Sequence, residues 1–386
     1  MQDRWLAERA KEMEDEVADL ASVNSFTENV EGGRIVGDRL RTRTFAIPGV
    51  ESRVHASPSA QFAPHLEFRT RGDSHRPPIA LIGHLDTVFP PGTFEGYRRD
   101  GDLARGPGVL DMKGGLVVVA WALRAIAETV GLDAIAPIRM VVVADEEVGS
   151  PEGQAIIRAA IADARAALVF ESGRTGDAII TRRKGTGAMA ARAIGKAAHA
   201  GNNHKDGANA IWALSLFVDR AQKLTAYDRG VTVNVGTFHG GTSKNTVPDS
   251  AEAKLDLRFE TTADADALVA AVREAARQAA ADVPGTRIEV DGGIARHPME
   301  RSDASVKLMS DYAACAKLVG LGAGEAALIG GGSDASTSSS MGIASIDGLG
   351  PRGLGFHTKD EHIEVATLVL KAQALAHFLL RYGATG

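Results

Sequence analysis

The 386-residue sequence contains a single cysteine, Cys315, no apolar run of membrane-spanning length and no block of lysine or arginine. Each absence removes a class of function. One cysteine cannot close an internal disulfide, and Cys315 lies in the apolar stretch 312–319, which reads as a buried helix; no nucleophile motif surrounds it, so a core thiol is expected. A membrane span requires about 20 consecutive apolar residues. The net charge of −6 lacks the basic footprint that phosphate-backbone binding demands, so neither nucleic acid nor a membrane is expected as a partner. Residues 1–11 are charged where a secretion signal needs an apolar core, so the chain reads as cytoplasmic, although a chain already relieved of a signal peptide would read the same. There is no Gly-x-Ser-x-Gly elbow, which disfavours a serine hydrolase, and there is no internal repeat.

What is present is the composition of a globular protein, 44% hydrophobic and 24% charged, in a chain long enough that two domains are expected. Trp5, Met13, Val17 and Leu20 recur at helical spacing and predict one helix over 4–20. The short β-branched runs 79–82 and 138–143 read as buried parallel strands, with an Ala-rich crossover helix at 115–129 between them. A helix near 154–162 and a strand at 167–170 follow. This is a doubly wound α/β pattern. Beyond Lys184 the order becomes strand 187–194, helix 208–224, strands 231–238 and 251–259, helix 263–281 and a strand near 287–290. That β-α-β-β-α-β order describes an inserted α+β, ferredoxin-like domain over 184–295. Residues 1–183 and 296–386, with a strand at 343–346 and a last helix at 365–382, make the outer domain.

Ligands of open α/β sheets sit at the carboxyl ends of strands. There the sequence offers His84 and Asp86, then Asp145, Glu146 and Glu147, then Glu171. Asp111 opens the crossover helix, and His357 lies in Gly355-Phe356-His357-Thr358. Singly these are ordinary: a lone histidine is usually a loop residue, an Asp at a helix start an N-cap, and three consecutive acids a solvated turn. Together they gather negative charge at one crevice, which repels unless a cation compensates it. Imidazole and carboxylate suit zinc, and the groups are too numerous for one tetrahedral ion but fit two ions sharing a carboxylate, a pair able to polarise a carbonyl and activate water. Metal binding is the favoured of these readings. The run Gly348-Leu349-Gly350-Pro351-Arg352-Gly353 fits a dinucleotide fingerprint, but Pro351 falls where the helix should begin, and a nucleotide-binding module is set aside.

Gly83-His84-Leu85-Asp86-Thr87-Val88, Asp111-Met112-Lys113-Gly114-Gly115, Asp145-Glu146-Glu147-Val148-Gly149-Ser150, Glu171-Ser172-Gly173 and His357 resemble, in that order, the metal-site motifs of the dinuclear zinc carboxypeptidase and aminoacylase superfamily. Gly330-Gly331-Gly332-Ser333-Asp334-Ala335 and the run 348–357 are similar to those of its bacterial glutamate carboxypeptidases. The resemblance extends from about residue 22 to the C-terminus. It implies a catalytic domain with a lid and dimerisation domain, and two zinc ions, with cobalt or manganese as substitutes in vitro. His84, Asp111 and Glu171 would hold one ion and Asp111, Glu147 and His357 the other. Glu146 would be the general base, and Asp86 would accept a hydrogen bond from the free ring nitrogen of His84. His199, in Gly195-Lys196-Ala197-Ala198-His199-Ala200-Gly201, would stabilise the oxyanion, Asn245 and Arg258 would contact substrate, and Arg296 would bind the substrate's α-carboxylate. The implied activity is hydrolysis of an amide bond beside a free α-carboxylate by a homodimer. The runner-up is removal of the acyl group from an N-acyl amino acid, as in an aminoacylase, a desuccinylase or an acetylornithine-type deacetylase.

Overall fold

The computed structural model describes residues 1–382; residues 383–386, the end of the expected outer domain, lie outside the described residues. The chain divides into two compact units. One comprises residues 1–182, 301–328 and the described residues from 333 onward, the other 183–300 with 329–332.

The first unit is built on a six-stranded sheet in the order Val50–His55, His65–Thr70, Ile138–Val143, Ile79–His84, Ala166–Val169, Ala344–Ile346. The last four strands are mutually parallel, as the buried β-branched runs require. The first two are antiparallel additions that the sequence reading does not contain. Val50–His55 is an edge strand, mostly exposed and polar, so no apolar run marks it. His65–Thr70 is buried but carries His65 and Glu67 inside, which breaks its hydrophobic signature. The expected single N-terminal helix is instead two, Gln2–Ala7 and Ala10–Ala21. The guanidinium of Arg9 donates to the Trp5 carbonyl at 3.0 Å, the acceptor that a continuous helix would offer to the Arg9 backbone N–H, and that N–H turns to Leu6 instead. The helix Lys113–Thr129 is buried from Lys113 through Leu123, and its valines tolerate the helix because packing outweighs their weak propensity.

In the second unit four antiparallel strands lie in the order Thr232–Gly240, Ser250–Phe259, Gly185–Ile194, Arg287–Arg296, with helices Ala210–Gln222 and Thr262–Asp282. This is the ferredoxin-like arrangement. Ser250–Phe259 alternates strictly until its last turn, sending Ala251, Ala253, Leu255, Leu257 and Phe259 into a core with Leu214, Phe217 and Val272. The helices start where side chains cap them: Asn209 accepts from the Trp212 N–H at 2.9 Å and Thr261 from the Asp264 N–H at 3.1 Å, contacts worth about 1 kcal/mol each. The last strand extends to Arg296, past the expected end at 290, because Gly292 and Gly293 interrupt its alternation in sequence but not its pairing.

Candidate metal centre

Strand register brings the candidate groups of the first unit together. His84 ends its strand opposite Val143, so the turn that follows, Asp145 to Glu147, lies beside it. Ile82 pairs with Val169 on the other side, which sets Glu171 level with His84. Asp111 arrives from the helix Lys113–Thr129, whose start passes against the end of the neighbouring strand; a Cβ on Gly115 would collide with the Phe170 carbonyl oxygen, so only glycine allows the approach. Asp111 is not the N-cap of that helix. Met112 occupies the cap position and no side chain caps it, which leaves the Asp111 carboxylate for other partners.

The distances have a particular character. His84 Nε2 is buried without a hydrogen-bond partner, yet Asp111 Oδ1 lies 3.4 Å and Glu171 Oε1 3.7 Å from it. His357 Nε2 lies 3.4 Å from Asp111 Oδ2 and 3.1 Å from Glu147 Oε2. Ligand atoms about 2.0–2.1 Å from a tetrahedral zinc are spaced by about 3.3–3.4 Å, so the set fits ions between these atoms at least as well as hydrogen bonds between them. Each oxygen of Asp111 faces a different histidine, the arrangement a shared carboxylate needs. Ligand atoms of His84, Asp111 and Glu147 lie within 4.8 Å of one another, and so do those of His84, Glu146 and Glu171.

The charge balance of the bare groups points the same way. Burial raises the Glu171 carboxyl to about 7, helped by the nearby Asp111 charge and opposed by His84. Burial also raises Glu147. Hydrogen bonds to Asp111 and Glu147 push His357 up to about 10. His84 is held well above its ordinary value: burial opposes this but is outweighed by the charge of Glu171 and by the neighbouring Asp111 and Asp86. Carboxyl groups and imidazoles all raised side by side are groups sharing protons where a cation would otherwise balance the charge.

Asp86 serves the surrounding structure more than the His84 ring. Its carboxylate accepts from the Thr27 hydroxyl at 2.7 Å and from the backbone N–H groups of Glu146 and Glu147 at 3.2 Å each. His84 Nδ1 is 3.0 Å from the Asp86 carbonyl and 3.4 Å from its carboxylate. Asp86 thus ties the strand end that carries His84 to the turn that carries Glu146. Two groups escaped the sequence reading. His65 is buried and accepts from the Ala144 N–H at 3.2 Å, bracing the strand end that leads into Asp145. Glu361 is buried beneath the Asp111 loop; its only sequence signal is an acid four residues after His357.

In the second unit, His199 Nδ1 accepts from the backbone N–H groups of Gly201 and Asn202 at 3.1 Å each. A ring nitrogen that accepts twice carries no proton, so the neutral ring has its N–H at Nε2. Asn245 Oδ1 accepts from the Ser243 hydroxyl at 2.6 Å, and its carbonyl accepts from the Ala200 N–H at 2.9 Å, beside the two-stranded pairing of Thr246 with His199. Arg258 forks onto Asp256, at 2.8 and 3.0 Å. Arg296, at the end of its strand, is 4% exposed, and its side chain passes over Gly332.

Residues 181–284 match the family of peptidase dimerisation domains. Carboxypeptidase G2 of Pseudomonas sp. is 28% identical over 310 residues, 79% of this chain and 74% of that protein. The chain is a carboxypeptidase G2 homologue with an M20 peptidase fold. A tripeptidase from Staphylococcus aureus superposes with a TM-score of 0.80 at 22% identity, covering 97% of this chain and 99% of its own. A dinuclear metal-binding peptidase of the M20 family from Bacillus subtilis superposes at 0.72 with 15% identity, covering 98% of this chain and 100% of its own. The likeness to M20 peptidases extends over the mixed α/β architecture. No helix among the described residues is long and apolar enough to cross a membrane.

Proposed function

We propose that this M20 homologue is a carboxypeptidase that hydrolyses an amide bond beside a free α-carboxylate, using two zinc ions. The observation that carries the reading is a further carboxylate among ligand types: a Glu146 oxygen lies within 4.8 Å of ligand atoms of His84 and Glu171, one residue before Glu147. His84, Asp111 and Glu171 would hold one ion and Asp111, Glu147 and His357 the other. Bound there, the ions supply a polarised carbonyl and an acidified water. Glu146 takes the proton of the attacking water and returns it to the leaving amine. His199 is the candidate oxyanion donor, because its Nε2 carries the proton. Arg296 is the candidate fork for the substrate carboxylate. Asn245 is a candidate substrate contact, and so is Arg258 where substrate replaces Asp256. A homodimer through the second unit is supported by the matched dimerisation domain, by the exposed edge strand Thr232–Gly240 and by the exposed Trp212 and Phe238.

The substrate assay tests specificity directly. A dipeptide with a free C-terminal carboxylate should be cleaved while its C-terminal amide is nearly inert. Arg296→Ala should slow cleavage of the acid by about ten- to a hundredfold and scarcely affect the amide, and Arg296→Lys should recover only part, because an ammonium cannot reproduce the planar fork. Equal cleavage of acid and amide by the wild type defeats the carboxypeptidase assignment. Preference for N-acetyl or N-succinyl amino acids over dipeptides would move the enzyme to the deacylases.

Metal uptake should release protons. His357, raised to about 10 by Asp111 and Glu147, is charged at pH 7, and Glu171 is half protonated near 7, whereas ligands must be deprotonated. Affinity therefore rises with pH. The sign for the metal-free fold is opposite: a raised histidine stabilises fully below its unfolded value of about 6.5. That contribution is lost as pH rises through about 10. Calorimetric zinc titrations of the metal-free protein at pH 7, in buffers of different ionisation enthalpy, should give at least one proton released per chain. Uptake independent of the buffer would contradict it.

A further inference from the structure

We infer that Glu361 is a positioning residue that fixes the separation of Asp111 and His357 by fastening the loop that carries one to the loop that carries the other. The inference rests on the metal-centre reading above and extends it to a residue outside the ligand set. Glu361 is fully buried, and its two oxygens face three backbone N–H groups of one loop. Oε1 accepts from Leu110 at 2.9 Å and from Asp111 at 3.0 Å, and Oε2 accepts from Gly108 at 3.3 Å. Three convergent donors are met here by the lone pairs of one carboxyl group on a single side chain. Lys113, equally buried, donates to the Val23 carbonyl at 3.0 Å.

The connection back to His357 is short and stiff. The Thr358 N–H and hydroxyl both donate to the Gly355 carbonyl, at 3.0 and 2.7 Å, the Asp360 N–H donates to the Thr358 hydroxyl at 3.2 Å, and the Glu361 N–H donates to the Thr358 carbonyl at 3.1 Å. Gly355 has φ +81°, where a Cβ would lie 2.6 Å from the Asp360 carbonyl oxygen, so the turn needs glycine. His357 itself has φ +61°, a conformation unfavourable for a residue with a Cβ and kept only where surrounding bonds over-determine it. The turn fixes His357 relative to Glu361, and Glu361 fixes that turn to the amide of Asp111. The two side chains so related are the ones whose Nε2 and Oδ2 stand 3.4 Å apart.

Three variants test this. Glu361→Gln keeps the length but turns an NH2 toward one N–H donor; Glu361→Asp keeps the carboxyl group but falls one methylene short; Glu361→Ala removes the acceptor. Each is measured metal-free for melting temperature, then for zinc stoichiometry and affinity by competition with a chromogenic chelator, and for kcat and KM with excess zinc. A positioning role predicts that Gln and Asp fold and that both lose about 10- to 100-fold in affinity for the weaker ion. Under saturating zinc kcat should partly recover and KM should stay within about threefold, since Glu361 does not touch substrate. Wild-type zinc affinity in Glu361→Gln, or full rescue by Glu361→Asp, overturns the assignment, the latter because the reach of the side chain would then not matter. If no variant folds, Glu361 is a determinant of the fold and the positioning role is lost. A wild-type chain that takes up no pair of ions would refute the metal-centre reading itself, a result distinct from any of these.

Discussion

Glu146→Gln should lower kcat by about 10²- to 10⁴-fold while two ions remain bound per chain. Glutamine has the same shape, and the substitution leaves intact the backbone N–H by which residue 146 is tied to Asp86 Oδ1 at 3.2 Å, so the turn before Glu147 should keep its place. What is lost is basicity: an amide cannot take the proton of an attacking water. The geometry makes the experiment sharper than a simple loss of activity, because an oxygen of Glu146 belongs with His84 and Glu171 in a group that could itself hold an ion. Elemental analysis and steady-state kinetics on the same sample therefore separate two roles. Full metal content with little turnover identifies a base, and the acidic limb of the kcat/KM profile should vanish with it. Loss of one ion identifies a ligand. Near wild-type turnover removes Glu146 from the mechanism.

Asp111→Ala should bind fewer than one ion per chain and show no measurable hydrolysis at metal concentrations that saturate the wild type. One oxygen of this carboxylate faces His84 Nε2 and the other faces His357 Nε2, so a single substitution takes an acceptor from both positions. Removing Glu171 or Glu147 should do less, because within 4 Å Glu171 meets His84 and Glu147 meets His357, one histidine each. The charge change runs in the same direction. Burial raises Glu171 most, and like-charge repulsion from Asp111 adds to it, so without Asp111 Glu171 should titrate somewhat nearer the ordinary carboxylate range. Metal content after gel filtration, compared across Asp111→Ala, Glu147→Ala and Glu171→Ala, checks the ranking. Two tightly held ions in Asp111→Ala would mean that the carboxylate bridges nothing.

The parallel strands and the inserted sheet were legible because their signals are local. A short apolar run bounded by polar residues, such as Ile138–Val143, reads as a buried strand, and the alternation of Ser250–Phe259 needs no partner to be read. What was misread depended on something distant or on competition for one atom. The N-terminal helix divides because an arginine side chain and a backbone N–H contend for the Trp5 carbonyl. The two antiparallel strands join the sheet without an apolar run of their own, one as a polar edge and one with ionisable groups facing inward.

The same division holds at the centre. Which residue types stand at the strand ends follows from the chain alone: a parallel sheet exposes its carboxyl ends, and imidazole and carboxylate are the types placed there. Which atoms face one another does not follow. Strand register decides that His84 meets the turn after Val143 and lies level with Glu171. The contact between Glu361 and the Asp111 amide joins residues 250 positions apart, and no spacing rule reaches across such a separation. Backbone donors also decide that the His199 ring is protonated on Nε2, since the Gly201 and Asn202 amides occupy Nδ1. The inventory of chemical groups and the elements that carry them can be read along the chain, because propensity and periodicity act over a few residues. Their pairing comes from folding, because a hydrogen bond or a shared ligand position depends on distances of a few ångströms between segments far apart in sequence.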